Sequence, residues 1–162
     1  MLRPATSADF AFIRGLASQP DNAPFITDEE EAALGVYLAE PSVRLLIWEV
    51  AGAPAGFALF CQIGEPSGAV ELRRLALAAT GGGQGQAFLR ALVDYGFGTL
   101  SAARVWLDAS GENPRAMKTD ERAGFALEGR LRQHWYRPAL GRVVDLILYG
   151  MLRAEWEALE PL

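Results

Sequence analysis

Four glycines fall within five positions in the stretch Thr80-Gly81-Gly82-Gly83-Gln84-Gly85-Gln86. An alternating run, Ala69–Ala78, comes before it, and apolar residues at 88, 89, 92, 93 and 97 come after it. The loop therefore joins a strand to a helix. Glycines in that place let the backbone turn tightly and aim its N–H groups at a ligand. The helix N-terminus adds partial positive charge, so the guest that suits residues 81–86 is a phosphate or pyrophosphate. A connector with no ligand is the other reading, but it leaves the entropic cost of so many glycines without a purpose. Two common phosphate loops are excluded. A Walker loop ends in Gly-Lys-Ser/Thr, and no lysine is present here. The dinucleotide fingerprint Gly-x-Gly-x-x-Gly fails at Gln86 when started from Gly81, and at Phe88 when started from Gly83.

The rest of the chain must hold that loop in place. Leu2–Ala5 reads as a short first strand, and Ser7 as the N-cap of a helix carrying Phe10, Phe12, Ile13 and Leu16. Pro20-Asp21-Asn22-Ala23-Pro24 ends that helix. Thr27 and Glu30 form a capping-box pattern that predicts a second helix through about Ala39. Val43–Val50 and Pro54–Ile63, parted by Ala51-Gly52-Ala53, read as an antiparallel hairpin. Strict alternation along Ala69–Ala78 predicts Glu71, Arg73, Leu75 and Leu77 on one face, with Val70, Leu72, Arg74 and Ala76 on the other. Gln84–Gly98 reads as a helix and Arg104–Leu107 as a strand. Asn113 and Pro114, an N-cap and a first-turn proline, open a polar helix to about Ala123. Phe125–Arg137 and Val143–Met151 are strand-like runs joined by a turn with Pro138 and Gly141. Hairpins at both ends and a crossover helix between them predict an α/β (α+β) fold. Its sheet is mixed and mostly antiparallel, with about seven strands flanked by about four helices. The chain's 162 residues predict one domain, 1–162.

Composition narrows the classes of function. Hydrophobic residues make up 51% and charged residues 22%, which describes a globular chain rather than a disordered one. Fifteen Lys plus Arg against twenty Asp plus Glu give a net charge of -5, which argues against nucleic acid or an anionic membrane as partner. One histidine, His134, and one cysteine, Cys61, are too few ligands for a zinc site, so no metal is expected. A single cysteine allows no internal disulfide. The charge-free stretches Val50–Gly64 and Leu75–Leu89 carry Gly, Pro or Gln and fall short of about 18 apolar residues. Met1–Thr6 lacks the apolar core of a signal peptide. A cytoplasmic protein is the expectation.

Other short motifs fall in order around the loop. Leu2-Arg3-Pro4-Ala5-Thr6-Ser7-Ala8-Asp9 begins the chain, and Glu71-Leu72-Arg73-Arg74-Leu75 leads into Gly81, Gly83 and Gly85. Asn113-x-Arg115-Ala116 and Gly124-Phe125 follow, and Tyr149-Gly150-Met151-Leu152 with Glu155 and Trp156 comes last. Over nearly the whole chain this series resembles the GNAT superfamily of acyl-CoA-dependent N-acetyltransferases. Its ending is similar to the branch that acetylates ribosomal-protein N-termini. The resemblance implies acetyl-CoA as cosubstrate, its pyrophosphate on the amides of residues 81–86 and its pantetheine beside Leu75, Ala76 and Leu77 like an added strand. Asn113 is implied near the pantetheine arm, a role compatible with capping a helix. The implied reaction moves an acetyl group to a primary amine, on a peptide N-terminus or a small molecule, in a ternary complex. Backbone N–H groups of Leu75–Leu77 would polarise the thioester carbonyl.

Two positions depart from the family pattern. Where the family has Arg or Gln ahead of the loop, this chain has Thr80, which is short and uncharged. Losing one charge-assisted hydrogen bond weakens binding by about 10- to 100-fold, and Gln84 and Gln86 are the candidate replacement donors. Where the family has the Tyr that protonates the departing thiolate, this chain has Asp120. An ordinary Asp, with a pKa of about 3.9, is ionised at neutral pH, so Asp120 serves as an acid only if burial raises its pKa. Its other reading is a solvated carboxylate paired with Lys118 or Arg122, with Tyr136 and Tyr149 as substitute acids. Glu71 is the implied general base, set against a simple ion pair with Arg73. Arg130, Arg132, Arg137 and Arg142 read as a solvated face or as a grip on an acidic substrate group, and His134 as an ordinary strand residue. The alternative to an enzyme is a GNAT-like module that binds CoA or a partner without chemistry. The acceptor is expected around Gln19–Thr27 and the last hairpin, and exposed strand edges make a homodimer the expected assembly.

Overall fold

The computed structural model describes residues 1–160. Its strands are β1 (Leu2–Pro4), β2 (Arg44–Val50), β3 (Ala53–Cys61), β4 (Ala69–Leu77), β5 (Arg104–Ser110), β6 (Ala126–Arg137) and β7 (Arg142–Leu152). Its helices are α1 (Phe10–Ala17), α2 (Glu31–Ala39), α3 (Gln84–Asp94), α4 (Pro114–Arg122) and α5 (Arg153–Glu157). The strands make one sheet in the order β1-β2-β3-β4-β5-β7-β6, with β4 and β5 parallel and every other neighbouring pair antiparallel. The mixed seven-stranded sheet agrees with the sequence. The short α5 carries no periodic stripe long enough to announce it.

Helices cover both faces of the sheet, which is why β2 and β3 read as unbroken apolar runs. Leu45, Ile47, Phe57 and Leu59 pack with Ile13, Leu16 and Leu34 beneath α1 and α2. Leu46, Ala58 and Phe60 face the other way, onto Phe88, Leu92 and Phe97 of α3 and the turn after it. No helix among the described residues is long and apolar enough to cross a membrane.

The strict alternation expected of β4 is broken by a bulge. Leu59 pairs with Arg74 while Phe60 pairs with Leu72, so Arg73 is an extra residue opposite no partner. The extra residue reverses the parity. Val70 and Leu72 share the α3 face with Leu75 and Leu77, whereas Arg74 and Ala76 turn toward α1 and α2. Glu71, in register with Cys61, belongs to that second face, so it does not share one with Leu75 and Leu77. The bulge also bends β4 away from β5. The two strands pair only through Ala69–Arg104, Val70–Val105 and Glu71–Trp106, then diverge.

Two expected caps are replaced. Ser7 lies inside a 3₁₀ turn, Ser7–Asp9, whose start is held by the Thr6 N–H donating to the Asp9 carboxylate at 2.8 Å. Thr27 caps no helix, since α2 begins at Glu31. Its carbonyl instead accepts from Arg74, and its hydroxyl accepts from Arg137 Nη1 at 3.0 Å. Arg137 is not part of a solvated face: only 1% exposed, it also donates to the carbonyls of Pro24 and Ala23 and lies 4.0 Å over the Trp135 ring. The α1–α2 loop is thus tied to both arms of the forked sheet. The helix expected to reach Gly98 ends at Asp94 and continues as a π turn over Tyr95–Thr99.

Candidate functional site

Where β4 and β5 part, their facing edges have no strand partner, and the gap opens into a cleft of about 760 Å³. Leu75, Ala76 and Leu77 of β4 form one wall, with Asp108 and Ser110 of β5 opposite. The glycine loop closes one end, where Thr80, Gly81, Gly83, Gly85 and Gln86 line the cleft; Gly82 and Gln84 do not. From α4 and its N-cap come Asn113, Arg115 and Asp120, and Asp21, Asn22, Phe25 and Ile26 of the α1–α2 loop reach the opposite side with Trp135. The structure therefore brings together most of the residues singled out from sequence and leaves Glu71 outside the lining.

The loop's shape requires glycine. Gly81, Gly82 and Gly83 have φ of +102°, +57° and +78°, and a Cβ added at any of them meets nothing within 4 Å. The constraint is conformational, and the space beside these residues is open. Gly83 is also the residue before α3, which begins at Gln84. Gly83→Ala is expected to destabilise the fold by about 1–2 kcal/mol through left-handed strain alone. A thermal unfolding scan checks this, with a midpoint lower by about 2–8 °C.

Around the loop, side chains lock the neighbouring elements. The Asn113 Oδ1 accepts from the Ala116 N–H at 3.1 Å, so Asn113 caps α4 as expected while lining the cleft. Gln86 donates one amide N–H to the Thr119 carbonyl at 2.8 Å, which docks α3 on α4. Of the two candidate replacement donors, Gln86 lines the cleft and Gln84 lies off it. Arg115, which the sequence offered only as one letter of a motif, donates from Nη1 to Thr80 Oγ1 at 3.0 Å.

The carboxyl groups divide by environment. Glu71 is 6% exposed, and one of its oxygens accepts from Arg73 Nε and Nη2 at 3.0 and 2.7 Å, which realises the ion-pair reading. Asp120 is 4% exposed and lines the cleft, without the expected partnership to Lys118 or Arg122. Burial, reinforced by the nearby charges of Asp108 and Glu121, pushes its pKa up to about 8. Asp108, on β5, is pushed up to about 6 by burial and then by the charge of Glu71. Neither substitute acid lines the cleft: Tyr149 is fully buried and donates to Glu121 at 3.0 Å, and Tyr136 is exposed. Asp108 went unnoticed in the sequence because one carboxylate in Arg104–Ser110 reads as an ordinary outward strand residue. Half-buried Asp108 alternates with buried Leu107 and Ala109, as an ordinary strand residue does, so no local signal marks it.

A forked sheet closed at one end by a glycine loop also has counterparts among known proteins. The family model described as the GNAT acetyltransferase domain matches residues 1–126. The chain belongs to that family. Among curated GNAT relatives, a candidate ribosomal N-acetyltransferase of Bacillus subtilis is 37% identical over 68 residues, which cover 42% of this chain and 36% of that protein. An uncharacterized N-acetyltransferase of Bacillus licheniformis is 34% identical over 65 residues, or 40% and 35% of the two chains. The matched stretch thus spans about a third of either relative. The spermidine N-acetyltransferase of Vibrio cholerae, solved with CoA and spermine, shares the GNAT fold at a TM-score of 0.86. There the identity is 20% and the match covers 97% of both chains.

Proposed function

We propose that this chain transfers an acetyl group from acetyl-CoA to a primary amine by direct attack, with Asp108 as general base and Asp120 as general acid. The observation that carries the reading is that both carboxyl groups line one cleft whose far end is a left-handed glycine loop at a helix N-terminus. The cleft fits the cosubstrate: open space beside three loop glycines suits a pyrophosphate, and the unpartnered edge of β4 suits an amide-bearing arm. When bound, acetyl-CoA supplies an activated thioester. The backbone N–H groups of Leu75 and Leu77, on the free edge of β4, would polarise its carbonyl, whereas that of Ala76 faces β3. Asp108, ionised at neutral pH with its pKa of about 6, accepts the proton that the amine gives up on attack. Asp120, protonated at neutral pH with its pKa of about 8, holds a proton for the departing sulfur. Holding amine and thioester in one narrow cleft contributes much of the rate.

The acceptor side carries Phe25, Ile26 and Trp135 together with Asp21, a mixture suited to a primary amine on a short peptide or aliphatic chain. Relatives named for ribosomal substrates and for spermidine bracket that class. A second reading, a CoA-binding module without turnover, draws on the Arg73–Glu71 ion pair, which leaves the strand carboxylate engaged. Thermal unfolding with CoA, followed by an amine panel, separates the two. Ligand at about 100 times Kd adds about 2.7 kcal/mol, and a midpoint rise of about 5–10 °C is expected. Turnover of a panel amine supports the enzyme. The same rise with no turnover supports the module, and no rise overturns both.

A further inference from the structure

The phosphate end of the cleft holds a cation that comes from α4 and not from the loop. Thr80, at the loop entrance, is neutral, but its hydroxyl accepts from the Arg115 guanidinium at 3.0 Å, and both residues line the cleft. Arg115 lies in the first turn of α4, which Gln86 docks against α3 through the Thr119 carbonyl at 2.8 Å. The charge is therefore mounted on a fixed element beside Gly81–Gly85. It is also uncommitted. Glu112, the nearest acid before it in the chain, is held by Arg142 at 2.6 Å, and Glu121 accepts from Tyr149. Among the described residues, no carboxylate pairs with Arg115.

Resting on the CoA reading above, we infer that Arg115 is the pyrophosphate-binding cation of this cleft and that Thr80 is the residue that positions it. A guanidinium beside open loop amides completes a cradle for a diphosphate, the amides giving direction and the arginine giving charge. Thr80 is then a partner matched to a relocated charge, and the absence of a cation at position 80 is compensated.

Calorimetric titration of CoA and of dephospho-CoA, which lacks the 3′-phosphate and keeps the pyrophosphate, tests this. Arg115→Ala is expected to weaken both ligands equally, by about 10- to 100-fold. Since Arg115 is exposed, its ligand-free unfolding midpoint should match that of the wild type. The double variant Thr80→Arg with Arg115→Ala, which moves the charge to the loop, is expected to recover affinity for both ligands. A wild type that binds neither ligand overturns the CoA reading and this inference with it. Three results overturn the inference alone: Arg115→Ala binding like the wild type, a loss confined to CoA, or a double variant no better than Arg115→Ala.

Discussion

Asp120→Asn is expected to lower kcat by about 10²- to 10⁴-fold, the range for removing a positioned acid or base, and to make the protein more stable above neutral pH. Both effects follow from one burial. With its pKa pushed up to about 8 from an ordinary 3.8, Asp120 keeps a proton in the native state that the unfolded chain has released. The folded form therefore binds more protons between about pH 4 and 8, and stability falls as pH rises through that window. Asparagine cannot ionise, so the variant loses that slope. Unfolding midpoints should nearly coincide near pH 4 and diverge toward pH 8.5, the variant being the higher. The same titration shapes the rate. Wild-type kcat should decline above about pH 8 as the acid loses its proton, and the residual kcat of Asp120→Asn should show no such limb. A variant with wild-type kcat would remove Asp120 from the chemistry and leave a buried carboxyl of structural interest only.

The features legible in the sequence are those whose cause is local. Glycines at 81, 82 and 83 announce a left-handed loop because no other residue adopts those angles easily. Asn113 and Pro114 announce α4 because cap and first turn are adjacent in the chain. What escaped depends on distant partners. The bulge at Arg73 exists only in the register with β3, yet it flips the faces of β4 and opens the cleft. Thr27 looked like a cap because Glu30 stands three residues on, but two arginines from distant strands claim it first. Arg115 meets Thr80 across 35 residues, so the departure at Thr80 looked like a loss when read along the chain. The charge of Asp108 helps raise the pKa of Asp120 from a different element, and that influence is visible only once β5 and α4 share a cleft.

Asp108→Asn separates the two carboxylates on the base side of the reaction. If Asp108 accepts the amine proton, its replacement is expected to lower kcat/KM by about 10²- to 10⁴-fold. The acid limb that the wild type should show below about pH 6 would vanish. The charge of Asp108 is also one of the causes raising Asp120, so removing it should move the alkaline limb of the residual activity to lower pH. Glu71→Gln must behave differently. Its charge raises Asp108, but it stands outside the cleft in an ion pair with half-exposed Arg73. That substitution should keep most of kcat/KM and shift the acid limb downward, because Asp108 then ionises more easily. An acid limb that survives in Asp108→Asn and disappears in Glu71→Gln would return the base to β4. The direction of each limb, more than the size of either loss, therefore assigns the proton acceptor.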